Sequence, residues 1–292
     1  MRPQKIILTG MEKKLMLGKP TTELKEPFEE ERLATKMSWM VGFFDVLGFS
    51  DRIKDDGPEN VYQTYRTLIE RVVQKEALYC IGSMRCPGES LRVPTLFSVE
   101  VRYTYFSDTI LLWLPLTPMF AGPFLRRCSD LVCEALRMGI PLRGTISLGE
   151  GFMHKQSGMY VGSMIVEAAN LETAQNWIGV ALAPSATWSQ FIAEVCPTQI
   201  IEYDVPVKVG KELLRSPIAL DWPRRWRDTE EDYLQQRLRQ LMPDNEHSTK
   251  WVQALSFAEW SERHHDWHKR SGDENGFKHL EMRPESQILR PA

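Results

Sequence analysis

Two aspartates, Asp45 and Asp108, occupy positions where a carboxylate needs a chemical reason to be. Asp45 closes the apolar, aromatic run Trp39 to Leu47 and is followed by Gly48-Phe49-Ser50. A carboxylate at the end of a buried strand is costly unless a cation or hydrogen bonds compensate it. A turn through Leu47, Gly48, Phe49 and Ser50 can offer several backbone N–H groups to an anion. The same residues also allow a plainer role, in which Asp45 caps or braces the turn. Asp108 lies between Tyr105-Phe106 and Ile110-Leu111-Leu112, at the tip of a tight hairpin, where aspartate also serves turn geometry alone. If the first strand and the hairpin lie side by side, both acids fall at one end of a sheet. Paired there, they could hold Mg²⁺ or Mn²⁺ through hard oxygen ligands. Such a site activates an oxygen nucleophile and clamps a triphosphate for in-line displacement.

The elements that must position these acids follow from periodicity. Trp39 to Leu47 reads as a buried strand. Val61, Tyr65, Leu68, Ile69, Val72 and Val73 recur at helical spacing and predict one amphipathic helix over Asn60 to Tyr79. A loop containing Pro87-Gly88 precedes two strands, Leu96 to Phe106 and Thr109 to Leu116, joined at Ser107-Asp108. Phe124, Cys128, Leu131, Val132, Ala135 and Leu136 define a second helix, Phe120 to Met138, with Gly139 as its C-cap. Leu142 to Leu148 is a strand, Ser163 to Asn176 a helix, and Gln199 to Val207 a further strand. This order predicts an α+β domain with an antiparallel, ferredoxin-like sheet and helices on one face. The division expected is an N-terminal arm (1–36), a main domain (37–220) and an α-helical C-terminal appendage (221–292) rich in Trp and charge.

Composition narrows the partners. The 292 residues carry a formal net charge of -3, which argues against nucleic acid or an anionic membrane as a global partner. Five cysteines without a CxxC pair fit reduced thiols better than a disulfide framework. The opening residues lack a secretory pattern, and Ile110 to Leu116 is too short to span a bilayer about 30 Å thick. A cytoplasmic protein is expected. His264 and His268 have zinc-compatible i, i+4 spacing but no third ligand in view, so a solvated helix face is the expected reading. Pro223-Arg224-Arg225-Trp226-Arg227 is expected to be a surface or interface feature rather than a nucleic-acid contact.

The run Phe44-Asp45-Val46-Leu47-Gly48-Phe49-Ser50 resembles the first metal-binding motif of class III nucleotide cyclases, and the Ser107-Asp108 hairpin resembles their second. Pro141 to Glu150, with Arg143-Gly144 inside it, resembles the strand that follows. Tyr160-Val161-Gly162 and Ala168-Ala169-Asn170-Leu171-Glu172 resemble the helix that reaches a partner subunit's active site. The likeness covers about residues 38–210. It implies a homodimer with shared sites, a nucleoside triphosphate substrate, two Mg²⁺ or Mn²⁺ ions per site, metal ligation by Asp45, Val46 and Asp108, and a catalytic role for Asn170.

The departures from that pattern select a subgroup. Purine cyclases carry a base-selecting Lys or Glu where this chain has Thr104. The interface Asn and Arg map onto Val166 and Asn170, so the arginine that steadies the phosphate is absent from its usual place. This combination, with Gln175 to Gly179 and Tyr203 to Lys208, resembles the Pycsar cyclases of bacterial antiphage defence, which make cyclic UMP or cyclic CMP. The resemblance implies a uridylate cyclase, with a cytidylate cyclase or a degenerate nucleotide-binding regulatory module as alternatives. Lys208 and Arg143 are the candidate cations for the triphosphate, and a strand-end salt bridge is equally open to Arg143. Phe49 and Tyr105 are candidates for holding the base.

Overall fold

The computed structural model describes residues 36–74, 78–85, 92–187, 198–229, 233–245 and 248–264, with side chains left out at 74–99. The N-terminal arm, apart from Lys36, and the loop at Pro87-Gly88 lie outside these residues, as does His268.

Strand β1 (Met37–Val46) runs antiparallel to both of its neighbours. Helices α1 (Phe49–Asp56) and α2 (Pro58–Ile69) follow it, and then a ribbon of β2 (Leu78–Arg85) and β3 (Arg92–Val99). The hairpin β4 (Arg102–Phe106) and β5 (Thr109–Pro115) leads to α3 (Pro118–Arg137), β6 (Leu142–His154), β7 (Met159–Gly162) and α4 (Ser163–Ala174). The remaining elements are β8 (Gly179–Leu182), the single turn α5 (Pro184–Thr187), β9 (Ile200–Glu202), β10 (Ile218–Leu220), α6 (Trp222–Thr229), α7 (Leu234–Leu241) and α8 (Ser248–His264).

The main sheet has the order β4-β5-β1-β6-β8-β10-β9, with β7 beside β6. Only the β6–β8 pairing is parallel among these described strands. The core β1, helix, β4-β5, α3, β6 with spatial order β4-β5-β1-β6 is the ferredoxin-like α+β arrangement expected from the sequence.

Alternation along β1 divides the core. Met40, Phe44 and Val46 join the large cluster with Leu112, Phe124, Leu125 and Leu131. Trp39 and Val41 face the other way, packing with Leu111, Trp113, Met153 and Met164. The expectation of helices on one face is therefore corrected. Apolar residues line both faces of β1, and α4 covers the second, held by Ser147 Oγ donating to the Met164 carbonyl at 2.7 Å.

Several element boundaries also differ, among them that of β6, which runs past the expected Leu148 to His154. The helix expected to reach Tyr79 stops at Ile69 and closes with a π-turn over Glu70–Gln74, where Arg127 donates to the Val72 carbonyl. Leu96 to Phe106 is two strands, because β3 pairs only with β2 whereas β4 pairs with β5. The strand expected over Gln199–Val207 ends at Glu202, short of Pro206, and Val207 makes only an isolated bridge to Gln175.

The C-terminal helices bury Trp222, Trp226, Leu234, Leu238, Trp251, Ala254 and Phe257 in the same cluster as the sheet. The Arg224–Arg227 stretch is likewise committed inward: Trp226 is buried, Arg225 pairs with Asp130 at 2.6 Å, and Arg227 donates to Ser261 at 2.9 Å. No described helix is long and apolar enough to cross a membrane.

Candidate active site

Antiparallel pairing sets Asp45 opposite Thr109 on one side and opposite Arg143 on the other. The hairpin tip is tied to β1 by Val46 N–H donating to the Asp108 carbonyl at 2.9 Å. Ser107 takes a φ of 54°, the left-handed conformation such a tight tip needs. The two acids thus meet at one end of the sheet, as the sequence led us to expect. Leu47 N–H donates to the Pro141 carbonyl at 3.0 Å, and Gly48 (φ 74°, ψ 20°) turns the chain into α1. Gly48 offers no side-chain cap, so the first N–H groups of α1, beginning at Phe49 and Ser50, have no capping side chain among the described residues.

Arg143 is buried, and each of its guanidinium nitrogens is engaged. Nε donates to Glu172 at 2.5 Å, Nη1 to the Gln175 carbonyl at 2.9 Å, and Nη2 to Asp45 Oδ2 at 3.1 Å. Gly144 allows β1 to approach here, since a Cβ would lie 2.6 Å from Phe44 Cδ1 and 2.9 Å from the Phe43 carbonyl. Of the two roles open to Arg143, the geometry is that of the strand-end ion pair. It holds Asp45 and Glu172 in place and has no nitrogen turned wholly to solvent.

The charges form one coupled group. Burial pushes the Asp45 carboxyl above its ordinary value, Arg143 opposes the rise, and the Asp108 carboxylate adds to it. Glu172 is raised by burial as well, again opposed by Arg143. Lys208, an exposed residue whose N–H donates to the Ala174 carbonyl at 2.8 Å, is lowered by desolvation and by the repulsion of Arg143. Lys250 of α8 is lowered by the same two causes, with Lys208 adding to them.

Asp45 and Asp108 fit a hard divalent cation, with the Val46 carbonyl as the oxygen that residue can add. The Asp108 charge acts on Asp45, and Asp45 Oδ1 makes no hydrogen bond among the described residues. The Tyr65 hydroxyl, within reach of both carboxylate charges, is buried without a hydrogen-bond partner. No group of three or more His, Cys, Asp or Glu side chains is gathered for a metal among the described residues. Two carboxylates completed by substrate oxygens and water are a common donor set for Mg²⁺.

The other expected residues divide. Thr104 lies opposite Leu111, which puts it on the Asp45 face of the sheet. Tyr105, opposite Ile110, lies on the other face; of these two adjacent aromatics it is Phe106, 82% exposed, that shares the Asp45 face. Phe49 lies 5.7 Å from Tyr65 between ring centroids, tilted by 40°, and packs against the core. Asn170 is exposed on α4, with no hydrogen bond recorded among the described residues.

Sequence reasoning left Glu172, Tyr65 and Lys250 without roles. Glu172 had a signal, because Met164, Ala168, Glu172 and Gln175 fall at helical spacing, placing two polar residues on a buried stripe.

No protein-family model matches the chain, and no curated protein sequence matches it. Solved structures resemble it distantly. A bacterial light-regulated adenylyl cyclase matches at 13% identity and a TM-score of 0.36, over 62% of this chain and 54% of that one. A second structure of such a cyclase matches at 11% identity and 0.38, over 80% and 59%. A class III adenylyl cyclase-like ATP-binding protein from Pseudomonas aeruginosa matches at 12% identity and 0.33, over 52% and 34%. In each case the match spans less than two thirds of the neighbour's own length, and the likeness is one of backbone course alone.

Proposed function

We propose that this chain is a pyrimidine nucleotide cyclase, converting UTP, and CTP less well, to the 3′,5′-cyclic monophosphate and pyrophosphate as an antiphage second-messenger synthase. The observation that carries the reading is the convergence of Asp45 and Asp108 at one strand end, beside the uncapped start of α1. In the reaction the ribose 3′-oxygen forms a bond to the α-phosphorus, the bond from that phosphorus to pyrophosphate breaks, and the 3′-hydroxyl gives up its proton to solvent water. Asp45, the Val46 carbonyl and Asp108 would hold Mg²⁺ or Mn²⁺, two ions per site, which would supply charge neutralisation and lower the pKa of that hydroxyl. Arg143 keeps Asp45 oriented. The N–H groups of Gly48, Phe49 and Ser50 and the positive end of α1 receive phosphate oxygens. Lys208 supplies a cation for the triphosphate.

Base choice follows from what Thr104 lacks. Its one short hydroxyl replaces the long charged side chain with which purine cyclases grip a purine edge, and hydrogen bonds left unmade reject a ligand strongly. Phe106, exposed on the same face, offers a ring for a pyrimidine to stack on. A homodimer is supported by the exposed apolar residues Met159, Val161 and Val166 on β7 and α4. Asn170, beside them on α4, would complete the site across that interface.

A second reading, a regulatory module that binds a nucleotide without turnover, has one observation in its favour: Arg143 already occupies Asp45 Oδ2. Incubation of the purified protein with all four nucleoside triphosphates and Mn²⁺, followed by mass spectrometry, separates the possibilities. Cyclic UMP or cyclic CMP is expected. A cyclic purine nucleotide as main product refutes the pyrimidine reading alone, and binding without any cyclic product refutes the cyclase.

A further inference from the structure

The C-terminal helix α8 carries Lys250 on its buried stripe. Lys250, Ala254, Phe257 and Ser261 recur at helical spacing, and the last three are fully buried. Thr249 and Val252, off this stripe, are exposed, while Lys250 is half-buried. The rotation of the helix is fixed by its docking. Phe257 lies 4.9 Å from Trp177 and 4.7 Å from Tyr203 between ring centroids, Trp260 Nε1 donates to the Glu202 carbonyl at 2.8 Å, and Ser261 donates to Asp221.

That docking ties α8 to the active-site knot. Trp177 Nε1 donates to the Gln175 side chain at 2.7 Å, and the Gln175 backbone carbonyl accepts from Arg143. Lys250 precedes Phe257 by two turns, about 10 Å along the axis. There its charge interacts with Arg143 and Lys208, which repel it, and with Asp45 and Glu172, which attract it. Glu172 and Asp45 already share Arg143, and neither Lys250 nor Lys208 forms an ion pair among the described residues. Two ammonium groups therefore lie in the field of the site without an ion pair among the described residues, one of them half-buried. Such an arrangement is costly unless an anion completes it.

We propose that Lys250, delivered by the C-terminal helix, is a triphosphate-binding residue that works with Lys208 in place of the absent interface arginine. The proposal rests on the reading of this site as a nucleoside triphosphate site. It adds that the C-terminal segment is part of the binding machinery. Arg143 does not fill that role, because its three nitrogens are held by Glu172, Gln175 and Asp45.

The test is calorimetric binding of inorganic tripolyphosphate to the full chain in EDTA, which reads the protein's own cations. Loss of one charge-assisted hydrogen bond predicts that Lys250→Gln weakens binding about ten- to a hundred-fold. Lys250→Arg should bind within about threefold of wild type. Lys36→Gln, at a cation paired with Glu150, should bind as wild type does. Equal affinity of Lys250→Gln and wild type overturns the proposal. If Lys250→Gln does not fold, acylation footprinting of the wild-type protein decides: tripolyphosphate should shield Lys250, and undiminished labelling overturns the proposal. A wild-type protein that makes no cyclic nucleotide but binds tripolyphosphate through Lys250 refutes the cyclase and leaves this inference standing. Cyclisation by a protein whose Lys250→Gln variant keeps full tripolyphosphate affinity does the reverse.

Discussion

Replacing Arg143 with Met tests whether the knot behind Asp45 is structural. The substitution keeps an unbranched apolar stem and removes three hydrogen bonds, to Glu172, Gln175 and Asp45. Glu172, 5% exposed, would keep only the Thr173 hydroxyl at 3.2 Å. Removing one partner of a buried pair costs about 3–5 kcal/mol, a large part of the roughly 5–15 kcal/mol that holds a domain folded. Urea denaturation at constant m-value measures it.

The pH dependence carries a sign. Burial and Asp45 already raise Glu172, and Arg143 is the largest influence holding it down. Without Arg143 the folded-state value climbs further above the unfolded one. A carboxyl raised in this way favours the folded state below its unfolded pKa, and that advantage is lost as pH rises through the folded pKa. The deficit of Arg143→Met should therefore shrink on going from pH 7 toward pH 5, by up to about 1.4 kcal/mol per pH unit. Adding Glu172→Leu should recover most of it at pH 7. A cost below about 1 kcal/mol, a deficit flat in pH, or no recovery in the double variant refutes the reasoning.

Asp45→Asn and Asp108→Asn should each reduce cyclic nucleotide formation to background while far-UV circular dichroism stays native, since both acids lie at a strand end; near-normal turnover by either removes the proposed mechanism. If Asn170 completes the site across a two-fold interface, mixing Asp45→Ala with Asn170→Ala chains should partly restore activity, because one of the heterodimer's two sites is intact. Confirmed heterodimers without activity, from two inactive parents, would place the whole site in one chain. Phe257→Ala should cost about 3–5 kcal/mol in urea denaturation, because its ring packs on Trp177 and Tyr203; a loss under about 1 kcal/mol would show that α8 is loosely docked.

What the sequence made legible was local. The apolar run ending at Asp45 and the Ser107-Asp108 tip predict a strand and a hairpin, and short-range periodicity was enough for both. Their meeting depends on register, and the topology argument supplied it because β1 has few places to go in a ferredoxin-like sheet. Side-chain choice between faces was less legible. Tyr105 and Phe106 are adjacent and equally aromatic, and only the pairing of Phe106 with Thr109 decides that Phe106 shares the face of Asp45. The end of α2 at Ile69 was hidden because Val72 and Val73 continue the helical spacing through the π-turn.

Lys250 is the residue near Asp45 least legible in the sequence. A lysine at the head of an apolar stripe is visible in the sequence, yet the stripe does not say what it packs on, and Lys250 lies more than a hundred residues from Arg143. The sum over the site supplies the missing reason. Asp45, Asp108 and Glu172 contribute three negative charges, and Arg143, Lys208 and Lys250 contribute three positive ones. A fully ionised triphosphate and two divalent cations would also cancel each other in the proposed reaction. In the proposed reaction the roles divide by burial: Arg143, buried, fixes the acids, while Lys208 and Lys250, with no ion pair among the described residues, would serve the substrate. Under that proposal the C-terminal helix, packed on Trp177 and Tyr203, joins the site by electrostatics as well.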